Sequence, residues 1–261
     1  MPSAATHRLV LPCDGEDADT LAARLWACGA LGVWERSGEL VAWFDEVTDG
    51  VPGGGVWERE PDRDWQAEWK ASVAPVRAGR FVVVPTWLAD DHVPDAGDEV
   101  LVLDPGRAFG SGHHATTALC LEALDGLDLE GRTLADIGCG SGVLAIAAAR
   151  RGARVVAVDL DADAVEATRE NAERNGVELD VRHGGVDALD APCEVVVANL
   201  LTDTVAALAS ELVAATTSDL IVSGVTDERR EVALRPLTEA GFIPRQVRER
   251  DGWIAATGGT A

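Results

Sequence analysis

From Phe81 to the C-terminus, short runs of aliphatic and β-branched residues alternate with stretches of helical character, and this alternation restricts the fold more than any other feature of the chain. FVVVPTW and VLVLD come first. LADIG (134–138) precedes helical material from Val143 to Arg151, and RVVAVDL (154–160) precedes DADAVEATRENAERNG. LDVRHG and EVVVANL (194–200) follow, then a helix through Ala206–Ala215, DLIVSG (219–224) and a helix near Glu228–Ala240. Strands alternating with helices of about 10–15 residues predict a parallel sheet with helices on both faces. The last two strands, FIPRQVRER and GWIAATGG, flank Asp251-Gly252, a pair suited to a tight hairpin, so one antiparallel strand is expected where the sheet finishes.

In such a sheet, ligands bind beyond the carboxyl ends of the strands. DIGCGSG (136–142) lies where a strand turns into a helix. Gly138, Gly140 and Gly142 permit a tight turn and close backbone approach, and the helix that follows offers free N–H groups. Dinucleotide folds and methyltransferases both use such turns. Two details separate them here. The dinucleotide fingerprint wants Gly or Ala where this chain has Val143, and Asp136 precedes the turn, where a carboxylate repels a pyrophosphate but accepts hydrogen bonds from an ammonium group, directly or through water. Asp159 ends the next strand, about 20 residues on, at the spacing of a ribose-binding acid; capping the next helix falls more naturally to Asp161 and Asp163. Together these features point to S-adenosylmethionine rather than NAD. Asn199, at the end of VVVAN, is expected to face the same crevice, with helix capping as its alternative.

The N-terminal part reads as a small α+β unit: a strand over His7–Pro12, a helix over Asp17–Ala30, and strand material in GVWERSGELVAWF with Ser37-Gly38 as its turn. TDGVPGGGV follows as a boundary. The expected organisation is residues 1–52 as an N-terminal recognition domain, 53–73 as linker and helix, and 74–261 as the large α/β domain. DRDWQAEWKASV (62–73) supplies that helix, with Trp65 and Trp69 on one face.

A net charge of −23 opposes binding to a long phosphate backbone unless a basic patch offsets it, and only Arg245, Arg248 and Arg250 hint at one. A cationic partner fits better than an anionic one, and solubility or salt tolerance is the alternative reading of the acidity. The five cysteines are odd in number, scattered and without a C-x-x-C, which argues against a disulfide scaffold and a cysteine zinc site. His113 and His114 adjoin without a third ligand at readable spacing, so no metal is expected. No apolar run approaches 18 residues, and the start of the chain lacks the build of a signal peptide. A cytoplasmic protein, not bound to membrane or directly to nucleic acid, is the expectation.

DPGRAFGSGHHATTALCLEAL, DIGCGSGVLAIAAARRG, VDLDADAVEATRENAERNG and VVANLL, in this order, resemble the ribosomal protein L11 methyltransferase family, and the resemblance runs over essentially the whole chain. Its most specific piece is AFGSGHHATT, with Ser111 and Ala115 departing from the usual threonine and proline. The resemblance implies a Rossmann-like class I methyltransferase: an α/β fold with a seven-stranded, mostly parallel sheet and a small N-terminal α+β domain. It implies S-adenosyl-L-methionine as cofactor, with contacts at Thr117, Gly138, Asp159 and Asn199, joined by Gly140 and Asp136 from the turn itself. It also implies that Phe109, Gly110, Ser111 and Gly112 lie over the methionine end and that His114 matches the family histidine. Asn199, Phe109, Gly112 and His114 are thus the candidate catalytic residues. The implied substrate is the large-subunit ribosomal protein, methylated on lysine side-chain and N-terminal amines by a monomer. A methyltransferase for another protein or a small molecule, and a nucleotide- or NAD-binding module, are the alternatives.

Overall fold

The structure is a computed structural model that describes residues 7–12, 21, 24–25, 27–30, 32–36, 39–44, 46–52, 55–59, 73–104 and 114–260. The expected helix at 62–73, with Trp65 and Trp69, lies outside the described residues. The chain divides into two compact units, Met1–Ser72 and Val73–Ala261.

In the first unit, β1 (His7–Pro12), β2 (Gly32–Arg36), β3 (Glu39–Phe44) and β4 (Val56–Arg59) form an antiparallel sheet in the order β2-β3-β1-β4. Leu9, Leu11, Leu40, Ala42 and Phe44 recur at every second position and turn to one buried face, where the helical positions Leu21 and Leu25 join them. Phe44 meets the Trp57 ring edge-on, centroids 5.1 Å apart. β4 lies beyond the Gly/Pro-rich stretch read as a boundary and pairs with β1, so this sheet extends past residue 52.

The second unit opens with a small sheet, β5 (Val76–Ala78), β6 (Phe81–Pro85) and β7 (Glu99–Leu103), in sequential order. FVVVPTW and VLVLD therefore form strands of their own sheet, not of the main one. The main sheet contains β8 (Thr133–Ile137), β9 (Arg154–Asp159), β10 (Asp180–His183), β11 (Cys193–Asn199), β12 (Thr216–Thr226), β13 (Phe242–Arg250) and β14 (Trp253–Thr260). Its order is β10-β9-β8-β11-β12-β14-β13; β14 alone runs against its neighbours, inserted between β12 and β13. Asp251 (φ +52°) and Gly252 (φ +75°) close the expected hairpin.

Six helices accompany the sheet: α1 (Ala115–Asp125), α2 (Val143–Arg150), α3 (Ala162–Arg174), α4 (Thr202–Ala207), α5 (Ala209–Ala214) and α6 (Arg230–Glu239). The single helix expected through 206–215 is two short ones. Period-two alternation sends Leu134, Val195 and Val197 to one core, shared with α1 and α2, and Ala135, Val196 and Ala198 to the other, shared with α4, α5 and α6. Both faces are buried, which is why these strands read as continuous apolar runs. This is the fold of class I methyltransferases. Among the described residues no helix is long and apolar enough to cross a membrane.

Candidate active site

A cavity of about 500 Å³ opens at the carboxyl ends of β8, β9 and β11. Its floor is the glycine turn. Gly138 has φ +74°, and a Cβ there would lie 2.4 Å from Cδ2 of Leu200, so conformation above all demands glycine. Leu200 itself passes over Gly224 (φ +80°), where a Cβ would come within 2.0 Å of the Leu200 carbonyl oxygen. Gly224 sits in a bulge of β12 and lines the cavity with Leu200 and Leu201.

Asp159 stands at the end of β9 and also lines the cavity. Its Oδ2 accepts the Gly140 N–H at 2.9 Å and its Oδ1 accepts the Asp161 N–H at 2.9 Å. A carboxylate offers about four acceptor positions, so the group is oriented by the backbone with capacity left for the two hydroxyls of a ribose. The capping role goes to Asp161, which accepts the Asp163 N–H at 2.9 Å.

Among the described residues, two buried oxygens on the cavity wall lack a partner: Thr117 Oγ1, in the first turn of α1, and Asn199 Oδ1, at the end of β11. A buried polar group left without a hydrogen bond costs about 1–3 kcal/mol. Asn199 does not cap a helix; the N-cap position of α4 is Leu201, and it makes no side-chain cap hydrogen bond. A ligand bearing an amine, hydroxyls and a carboxylate satisfies such a wall, and the glycine turn leaves room for its approach, so the residues present fit S-adenosylmethionine.

Asp136 lies behind the cavity wall. It is 1% exposed, does not line the cavity, and accepts the Ala145 N–H of α2 at 3.0 Å through Oδ2. Burial pushes its carboxyl up to about 7, and Oδ1 has no partner. Asp136 therefore sits beneath the turn and fixes the start of α2. Cys139 does line the cavity. Burial, with the nearby Asp136 and Asp159 carboxylates, raises its thiol to about 12 and keeps it protonated, so it does not compete as a nucleophile.

His114 caps α1 by accepting the Thr116 N–H at Nδ1, which also lies 2.8 Å from Thr116 Oγ1. Its ring packs edge-on to Trp253, centroids 4.7 Å apart, and both line the cavity. Sequence reasoning missed Trp253, Gly224 and Thr204 on this wall. Trp253 was within reach: an antiparallel strand that starts after a hairpin begins at the carboxyl edge of its parallel neighbour, and Trp253 is indeed paired with Thr226 at the end of β12. Phe109 and Gly112 lie outside the described residues. The three arginines that hinted at a basic patch are all engaged: Arg245 with Asp219, Arg250 with Glu122 at 2.8 Å and Arg248 with Glu122 at 3.9 Å.

Residues 39–260 match the family model described as "Ribosomal protein L11 methyltransferase (PrmA)". A ribosomal protein L11 methyltransferase of Symbiobacterium thermophilum is 41% identical over 74% of this chain; that match spans 65% of the relative's own length, just under two thirds. One from Thermus thermophilus is 36% identical over 92% of this chain and 94% of its own length. Among solved structures, a ribosomal protein L11 methylase of Lactobacillus delbrueckii subsp. bulgaricus superposes with a TM-score of 0.66 at 29% identity, covering 72% of this chain and 99% of that one. The glycine turn, the ribose-spaced acid and the matched length together make this chain a member of the ribosomal protein L11 methyltransferase family, a family of S-adenosylmethionine-dependent protein methyltransferases.

Proposed function

We propose that the protein transfers methyl groups from S-adenosylmethionine to lysine side-chain and N-terminal amines of ribosomal protein L11. The observation that carries this reading is the wall on which Thr117 Oγ1 and Asn199 Oδ1 stand buried and unpartnered, in one cavity with a backbone-oriented Asp159. Relatives named for this activity support the choice of substrate. The net charge of −23 suits a basic ribosomal protein.

S-adenosylmethionine supplies a methyl group activated by its sulfonium sulfur. The chain's own residues bind, orient and desolvate. Asp159 accepts the ribose hydroxyls. Gly138 and Gly140 let the backbone approach, and Thr117 contributes its free hydroxyl. Asn199 Oδ1 would accept a hydrogen bond from the incoming amine and so orient it for transfer. That amine must arrive neutral, which for lysine costs about 4–5 kcal/mol at pH 7. A wall built from Leu200, Leu201, Leu144 and Trp253 lowers the amine's pKa by desolvation. The proton leaves to water before transfer, so no dedicated base is needed, and alignment provides most of the acceleration. His114 holds α1 and the Trp253 ring in place. Phe109 and Gly112 are assigned to the methionine end by family resemblance. The first unit is assigned to recognition of the protein substrate, because a small ligand needs no appended domain.

Mass spectrometry of L11 incubated with the enzyme and labelled donor tests the reading. Stepwise addition of methyl groups to lysine and N-terminal amines is expected. Unmodified L11, with label passing to another protein or a small molecule, refutes it. Deleting the whole first unit, residues 1–72, is expected to weaken capture of L11 and to leave binding of S-adenosylhomocysteine intact.

A further inference from the structure

Helix α3 carries Thr168 and Asn171, and its C-cap Asn175 continues the same face; all three are buried, at 0%, 1% and 8% exposed. None of the assignments above uses them. Thr168 Oγ1 donates to the Gly140 carbonyl at 3.0 Å. Asn171 Nδ2 donates to the Ser141 carbonyl at 2.9 Å, while its Oδ1 accepts the Asp104 N–H at 3.1 Å. Asn175 accepts the Val102 N–H at 2.8 Å and donates to the Val102 carbonyl at 2.7 Å. β7 ends its three-stranded sheet, and Val102 and Asp104, two residues apart, turn their N–H groups to the same side. The two asparagines therefore stand where a further strand would pair.

Asn171 differs from Asn175 in what it joins. One end of its amide holds the glycine turn, and the other holds Asp104, just past the end of β7. The task needs a donor and an acceptor two bonds apart on a short stem, which only asparagine supplies. The orientation of the amide is fixed by its partners: Asp104 N–H and the Arg174 guanidinium (2.9 Å) both donate to Oδ1, and the Ser141 carbonyl can only accept.

We propose that Asn171 is a positioning residue for methyl transfer, setting the separation between the glycine turn and Asp104 at the end of β7. The inference rests on the proposed function and deepens it. Asn171 reaches the reaction only through these two backbone segments. The grip on the cofactor ribose, by contrast, depends on Asp159 and survives loss of the Asn171 bridge.

The test compares N171D with N175D. N171D keeps its volume and its acceptor for Asp104, but sets an oxygen against the Ser141 carbonyl. N175D does the same to β7 without touching the glycine turn. For N171D, kcat on L11 is expected to fall about tenfold or more, since small misplacements near a reacting centre are costly. The calorimetric Kd for S-adenosylhomocysteine is expected to stay within about threefold. In the ligand-free protein, amide hydrogen exchange at Gly142 is expected to rise about tenfold. N175D is expected to lower Tm while keeping kcat within about twofold. If N171D does not fold, N171S, which loses both limbs without burying a charge, is read the same way. Equal kcat losses in the two asparagine variants, or an Asn171 variant with lowered Tm and unchanged kcat, overturns the proposal. If the wild-type protein binds S-adenosylhomocysteine yet leaves L11 unmodified, the functional reading fails first, and unchanged exchange at Gly142 in N171D then overturns the role of Asn171 separately.

Discussion

Asp136 makes the stability of the second unit depend on pH in a direction that can be worked out. Its carboxyl is buried, shares one oxygen with the Ala145 N–H, and is raised by burial from the ordinary value near 3.8 to about 7. Below about pH 4 the group is neutral in folded and unfolded chains alike and costs nothing. Between there and about pH 7 the unfolded chain releases the proton and the folded chain keeps it, so stability falls by about 1.4 kcal/mol per pH unit. Above about pH 7 both forms are ionised, and the accumulated loss, about 4 kcal/mol, stays constant. Asp136→Asn removes the titration while leaving an oxygen to accept the Ala145 N–H. The unpaired amide hydrogens add a penalty of about 1–3 kcal/mol that does not vary with pH, so the slope carries the prediction and the offset does not. In urea unfolding without ligand, followed by near-ultraviolet circular dichroism, the variant should gain on wild type by about 3 kcal/mol between about pH 4.5 and about pH 7, then keep a constant lead. A difference that is flat across this range would refute the burial of an ionisable Asp136.

Asp159→Ala should weaken S-adenosylhomocysteine binding about a hundredfold or more by calorimetry, because two hydrogen bonds to a charged acceptor are each worth about 1.5–3 kcal/mol; near-native affinity would remove Asp159 from the ribose site. Thr117→Val replaces a fully buried, unpartnered hydroxyl with a methyl of similar size. Thermal unfolding of the ligand-free protein should show unchanged or slightly raised stability, by up to about 1 kcal/mol, alongside about a tenfold loss of affinity for S-adenosylhomocysteine; a clear drop in Tm would mean that the hydroxyl is satisfied inside the protein.

The parts of the site that announce themselves in the sequence are those whose geometry is local. The glycine turn and Asp159 are legible because turn conformation and strand length fix their placement within about 25 residues. The paired faces of β8 and β11 are legible because burial on both sides leaves an unbroken apolar signature. Asp136 is legible as the acid at the end of β8, but one step in a strand reverses the face, and nothing in DIGCGSG says which side of the turn its carboxylate meets. Trp253 and Gly224 reach the cavity through the β12–β14 register, which joins residues more than 25 positions apart and is set by a bulge that no short motif encodes. β4 and β5 are too short, at four and three residues, to carry a periodic signal, and the small sheet of β5, β6 and β7 is invisible as a separate body because its strands read like those of the main sheet.

Leu200 touches both of the glycines that shape the cavity, but in different ways, and the difference bears on how such a site can change over generations. At Gly138 the obstacle is the Leu200 side chain; at Gly224 it is the Leu200 backbone. A smaller residue at position 200 therefore lifts the steric veto at the first position, leaving only the strain of a positive φ, and lifts nothing at the second. At position 138 the terminal methyl of Leu200 can also turn aside, so the positive φ is the lasting obstacle, whereas position 224 is closed to a side chain whatever residue 200 becomes.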